Sequence, residues 1–297
     1  MSYTVDYHGD DYATSMYNSR RMLKLADTGK LNSMSIIPNM RYYRECMEYL
    51  NRKWDTLENR PLLSVHLNLI DGYALSDHHN PILCNEDGII DCSWEKLFLY
   101  SYLPGKTRNR LKKDLRSEIR AQIKRVYEDL PEGTRLRMDS HLHTHMIPIV
   151  FDAMIGALKD LKLLEKTEYI RVSDEPLLPF LNTPGVMFTF PVINIIKNRI
   201  LHFLSGRVKR RLTKFGLESG MLWGLCMSGR MDKDRMDKVA GKILDIAKKE
   251  DRYLEVLCHP GIVLRQESVE EYGRSDMAAF FSQNRNVEFD AVMERSI

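Results

Sequence analysis

The chain is 297 residues long, 43% hydrophobic and 29% charged, which supplies a sizeable core and excludes a disordered polymer. A formal net charge of +3 is too mild to argue for nucleic acid, and no nucleic-acid partner is expected. Five cysteines without a CxxC pair argue against a disulfide framework or a cysteine zinc site and read as reduced thiols. No stretch reaches the ~18 apolar residues of a membrane span, and Met1 to Asp11 lacks a basic then apolar leader, so the expected location is cytoplasmic.

Tyr3 to Tyr7 is β-branched and aromatic and reads as a first strand, with His8-Gly9-Asp10-Asp11 where it ends. Tyr17 to Ala26 has helical spacing, with Gly29 as its stop. Ser33 to Ile37 reads as a strand halted by Pro38, and Met40 to Trp54 as a helix. Leu62 to Val65 is a further strand, with His66 at its end. Ile70 to Asp91 holds the turn signals Asp71-Gly72, Asn80-Pro81 and Asp87-Gly88 and reads as an active-site loop.

Thr107 to Leu130 predicts a long charged helix with Leu111, Leu115, Ile119, Ile123 and Val126 on one face. Arg135 to Ser140 is a strand that runs into Asp139-Ser140-His141-Leu142-His143-Thr144-His145, and Val150 to Leu164 is a helix. Tyr169 to Val172 and Leu254 to Cys258 are strands, with a helix at Met236 to Ala247 between them. Repeated βα units with chemistry at several strand ends favour an α/β protein whose parallel sheet closes into a barrel. The simplest partition is one catalytic domain over 1–297 with a loop or helical insertion at about 176–224.

On an extended backbone Asp139, His141, His143 and His145 would share one face, and converging imidazoles beside a carboxylate suit a divalent ion. Asp10 and Asp11 can divide labour as ligand and general base, provided the chain turns at or just after Asp10. His66 would complete a facial site with one of these acids and one histidine of the cluster. His259, before Pro260 and Gly261, could donate a proton to a leaving group without touching the metal.

Taken together, His8-Gly9-Asp10-Asp11-Tyr12, His66-Leu67-Asn68-Leu69-Ile70-Asp71-Gly72, Asp139 to His145 and His259-Pro260-Gly261 resemble the YdjC-like (ChbG/HpnK) carbohydrate deacetylases in order and spacing over about 250 residues. The resemblance implies a distorted (β/α) barrel of the glycoside hydrolase/deacetylase type. It would remove acetyl groups from an N-acetylated amino sugar or oligosaccharide, such as a chitooligosaccharide, with one divalent ion, magnesium or zinc. Carried over by position, Asp11, His66 and His141 would hold the metal, Asp10 would be the base and His259 the acid. Asn68, His143 and His145 would lie around the substrate or behind the ligands, and a homodimer is implied. The family's first motif usually reads Asn-Ala-Asp-Asp-Phe-Gly, so His8, Gly9, Tyr12 and Ala13 depart from it while both acids remain.

Other barrel metal hydrolases, phosphoesterases or amidohydrolases, also carry His-x-His pairs, but tend to place them on the first strand. A sugar-binding module would need neither a base nor an acid around a metal. One stretch lies outside this scheme. Between Lys197 and Lys214 stand seven Lys or Arg and no acid, with Ile193, Ile196, Ile200, Phe203, Leu204, Val208, Leu212 and Phe215 three or four apart. This predicts a basic amphipathic helix over 193–215, broken at Ser205-Gly206, either packed on the barrel or in contact with anionic lipid or a lipid-linked substrate.

Overall fold

The computed structural model describes residues 4–77, 81–267 and 280–295. Strands β1 (Val5–Tyr12), β2 (Ser33–Ile36), β3 (Leu62–Leu67), β4 (Leu136–Ser140), β5 (Thr167–Ile170), β6 (Met221–Trp223) and β7 (Leu254–Cys258) form one parallel sheet in the order β5-β4-β3-β2-β1-β7-β6. Helices α1 (Met16–Asp27), α2 (Tyr43–Trp54), α3 (Trp94–Tyr102), α4 (Lys106–Asp129), α5 (Pro148–Asp160), α6 (Leu178–Leu181), α7 (Val192–Thr213), α8 (Lys233–Lys249) and α9 (Asn284–Met293) complete the chain. Neighbours in sequence are neighbours in the sheet except at β5 and β6, where α6 and α7 intervene. There Leu222 donates its N–H to the Asp174 carbonyl at 3.0 Å, so the seven strands curl into a distorted barrel with a seam on that side.

The strands are buried on both faces, as parallel strands under helices are. Their outward faces and the helices share a large apolar core that includes Leu25, Met34, Val65, Ile123 and Trp223. Their inward faces are different. Asp6, His8 and Asp10 alternate along β1 and meet Ser33 and Ser35 of β2, His66 of β3, Arg137 and Asp139 of β4, and Arg171 just past β5. Where many barrels fill this space with Val, Ile and Leu, this one fills it with ion pairs.

Most expected elements stand within a few residues of their predicted limits. Three are additional: α3, β6 and α9. The stretch 176–224 contains β6 as well as α6 and α7. The loop from Ile70 to Asp91 is stitched by antiparallel bridges Tyr73–Ile89 and Cys84–Ile90, and Asn80 of its Asn-Pro turn lies outside the described residues. The five cysteines are buried and free. No helix among the described residues is long and apolar enough to cross a membrane.

Two expectations are corrected. Ser205-Gly206 does not break a helix: α7 runs unbroken from Val192 to Thr213, since glycine in a helix costs only about 1 kcal/mol relative to alanine and no residue lies near enough to Gly206 to force a kink. Nor is α7 apolar on one face only: Leu204, Val208 and Leu212 are buried while Ile193, Ile196, Ile200 and Phe203 are exposed.

Candidate metal centre

The second acid of β1 reaches the barrel's mouth through a backbone irregularity. Asp11 has φ +73°, and the β1–β2 register shifts between Gly9 and Tyr12. The chain therefore turns where two adjacent acids must turn to serve one site. Both flank the ring of His66: Asp11 Oδ1 lies 3.5 Å from Nε2 and Asp10 Oδ1 lies 3.9 Å from Nδ1. Asn18 of α1 fixes the turn by donating from Nδ2 to the Asp11 carbonyl at 2.8 Å.

The histidine cluster does not share one face. After β4 the chain enters a 3₁₀ turn, His141–Met146, in which Leu142 and His143 take left-handed φ of 50° and 56°. The turn closes on Ser140, whose Oγ accepts from the His145 N–H at 2.9 Å and lies 2.6 Å from His145 Nδ1. Side-chain closure at the strand's end outcompetes continued extension, and a period-two reading fails there. The three imidazoles consequently part. His141 turns to Asp11, its Nδ1 3.2 Å from Oδ1. His143 Nδ1 meets Ser173 Oγ at 2.9 Å. His145 is fully buried, with Nδ1 on Ser140 and Nε2 2.9 Å from the Arg171 carbonyl. Burial, with the cationic Arg171 adding to it, pushes His143 well below the usual histidine range; burial likewise lowers His145, to about 4.

Asp11, His66 and His141 thus bring one ligand atom each within 4.8 Å of one another. Asp139 Oδ1 sits 2.6 Å from His66 Nδ1, an arrangement that keeps the proton on Nδ1 and turns the Nε2 lone pair toward Asp11. That Nε2 is buried and makes no hydrogen bond. Burial alone would lower the His66 pKa, yet Asp10 and Asp139 raise it to about 9: the surroundings call for positive charge on or beside this ring.

Charge counting agrees. Asp6, Asp10, Asp11, Asp139 and Glu255 are buried in one network with Arg137, Arg171 and Arg285. Five carboxylates against three guanidinium groups leave an excess of buried negative charge, which a cation on or beside the His66 ring would offset. A second trio, His8, Asp10 and Asp139, also converges. It already has its cation: Arg171 donates to both oxygens of Asp10 at 2.8 and 2.9 Å and lies 3.3 Å from Asp139 Oδ2. The donor chemistry fits one ion, at Asp11, His66 and His141.

Several residues of the centre carry no motif. Arg171 also donates to Glu255 at 2.5 Å. Burial works to raise the Asp10 carboxyl, but Arg171 and His66 outweigh it and hold it well below the usual carboxylate range. Arg285 of α9 donates to Asp11 Oδ2 at 2.6 Å, leaving Oδ1 to the histidines. Phe280 stacks on His141 with ring centroids 5.7 Å apart. Glu288, also of α9, accepts from the His259 backbone N–H at 2.7 Å and lies 3.6 Å from its Nδ1. His259 is part-exposed, and is close enough to His143 to add to the lowering of that ring. Gly261, two residues on, has φ +155° and a Cβ there would overlap Asn18 Oδ1, so glycine is needed where the His-Pro-Gly turn passes α1. Asn68 is fully buried and spends its amide inside its own loop: Nδ2 donates to Asp71 at 2.5 Å and Oδ1 accepts from the N–H groups of Ile70 and Asp71.

The fold is that of the distorted β/α barrels whose polar residues gather at the C-terminal ends of the strands. A family model described as YdjC-like protein matches residues 7–297, and the chain belongs to that family. Membership supports a carbohydrate deacetylase at the level of the family. Among solved structures, a candidate cellobiose-phosphate cleavage protein from Enterococcus faecalis is 13% identical, with TM-score 0.61 over 99% of this chain and 92% of that one, a likeness of fold. An uncharacterized protein from Agrobacterium tumefaciens is 8% identical over 86% of this chain and 77% of that one, with TM-score 0.41. No curated protein matches the chain in sequence.

Proposed function

We propose that the protein is a metal-dependent deacetylase of an N-acetylated amino sugar or oligosaccharide, with residues 1–297 acting as one catalytic unit. The observation that carries this reading is the convergence of Asp11 Oδ1, His66 Nε2 and His141 Nδ1, with Asp139 behind His66. Two imidazoles to one carboxylate fit zinc or another transition ion better than magnesium. An ion bound there supplies polarisation of the acetamide carbonyl and a lower pKa for an attacking water.

The chain's own residues do the rest. Asp10 takes the proton of the water. It is suited to this because Arg171 keeps it ionised and fixes its plane, while Oδ2 has the Arg171 Nη1 donor as its one hydrogen bond described and keeps a lone pair for a proton. His259 donates a proton to the departing sugar amine; Glu288 holds its backbone N–H and sets a carboxylate 3.6 Å from its Nδ1. Near neutral pH His143 is neutral and beside Ser173, available to hydrogen-bond a sugar hydroxyl. Asn68 shapes the loop that follows β3.

The test is acetate release from N-acetylglucosamine and its oligomers by site variants. Asp10→Asn and His259→Ala should each lose about 10²–10⁴ in kcat, the range of general acid–base contributions, and keep the metal. His66→Ala should lose metal and activity together. Full acetate release by Asp10→Asn would remove the base assignment.

A further inference from the structure

Helix α7 is apolar where it faces the barrel and apolar again where it faces away. Among the described residues, eight of the sixteen exposed large apolar side chains fall within 178–203. Phe188 is 85% exposed, Phe203 78%, Val192 71%, and Ile193 and Ile196 about half. Val192, Ile196 and Phe203, with Ile200 beside them, follow one another along a single helical stripe. A helix with apolar residues on opposite sides is normally covered on both, and a contiguous patch of this kind on a soluble face marks an interaction site.

The charge beside the patch selects the occupant. From Pro176 to Leu217 there is no Asp or Glu, and seven Lys or Arg are present. Three of these are paired to the barrel: Arg207 and Arg211 meet Asp152, and Lys209 meets Asp174. Lys197, Arg210 and Lys214 are exposed and make no ion pair among the described residues. Arg210 and Lys214 continue the apolar stripe along the same face. A second copy of the chain docking through this face would bring further unpaired bases to the contact and, from the 176–217 stretch, no carboxylate to meet them. An anionic lipid surface complements both halves of the stripe, apolar residues entering the acyl boundary and bases meeting headgroups.

We propose that the outer face of α7, with the 178–192 segment before it, docks the protein on an anionic membrane surface. Because α7 packs on the 141–146 turn that carries His141 and His143, a docked membrane would lie about one helix diameter, ~10 Å, from that turn. The docking does not depend on the deacetylase reading.

The full chain is mixed with vesicles of phosphatidylcholine alone or of phosphatidylcholine with phosphatidylglycerol, and bound protein is separated by flotation. Binding is expected to the anionic vesicles, little to the neutral ones, and to weaken as salt rises. Arg210→Gln with Lys214→Gln should weaken it about twenty-fivefold, from roughly fivefold per base. Ile196→Ser with Phe203→Ser should abolish it at an unchanged melting temperature. Acetate release from a soluble substrate should be unchanged in both variants, so failure of docking and failure of the enzymatic reading are separable. Equal binding to both vesicle types, or none to either, overturns the proposal. So does a dimer in analytical ultracentrifugation that Phe203→Ser dissociates while vesicle binding is absent, which would give the face to a second copy.

Discussion

Replacing Arg171 by methionine removes the guanidinium that ties three strands together inside the barrel. The side chain is fully buried and donates to both oxygens of Asp10 and to Glu255, with Asp139 3.3 Å away. Methionine fills similar space without charge, so the loss is electrostatic rather than a cavity. Breaking a buried ion pair from one side costs about 3–5 kcal/mol, because the partner is left as an uncompensated buried charge. Against a total stability of about 5–15 kcal/mol, that is a fifth or more. At about 2 °C per kcal/mol for a large domain, the melting temperature of the metal-free protein should fall by roughly 6–10 °C. The assay is thermal melting by circular dichroism, and the control is Glu255→Gln. In the parent protein Glu255→Gln should destabilise, since it deprives Arg171 and Tyr169 of a carboxylate they bond; beside Arg171→Met it should stabilise, since it removes an unpaired charge. A melt of Arg171→Met within about 2 °C of the parent, or the same sign for Glu255→Gln in both backgrounds, would refute the reasoning.

Two further outcomes are expected. Asp174 is met by His202 Nδ1 at 2.7 Å, by Arg252 and by Lys209, and although burial works to raise it, Lys209 leads the contacts that hold its carboxyl below the usual range. A depressed folded value means that the stabilisation is present above the unfolded pKa of about 3.9 and is lost as pH falls through the lower folded value. The gap in melting temperature between the parent and Asp174→Asn should therefore be widest at neutral pH and close below about pH 4; a gap constant down to pH 2 would contradict it. Gly261→Ala sets a Cβ on Asn18 at a φ that favours glycine, and should cost about 1–3 kcal/mol in urea unfolding; an unchanged midpoint would show that the turn relaxes freely.

Strands and helices with clean periodicity were legible. The α4 heptad-like face from Leu111 to Val126 and the short apolar runs of β2, β3 and β7 give one reading only. The missed strand β6 is three residues long, too short to show alternation. The α9 helix buries Arg285 and Glu288, so its inward face looks polar and hides its packing. The convergence of Asp10, Asp11, His66 and His141 was legible because the motifs are dense in ligand types. The directions taken by His143 and His145 were hidden by a left-handed turn that period two does not anticipate. Arg171 and Arg285 carry no local signal: each finds its carboxylate across 161 and 274 residues of chain. One signal was available, the alternation Asp6, His8, Asp10 within a buried strand, which marks an inward polar face requiring cations from elsewhere in the barrel.

The proposed function requires that a divalent ion at Asp11, His66 and His141 drive removal of acetyl groups from an N-acetylated sugar. The most direct measurement is acetate released from N-acetylglucosamine oligomers by the metal-loaded protein, by the same protein after chelation, and by the chelated protein after zinc is restored. Acetate should appear in the first and third and vanish in the second, with one ion bound per chain. Acetate release that persists at zero metal content, or one bound ion per chain with no acetate from any of these sugars, would contradict a metal-dependent sugar deacetylase.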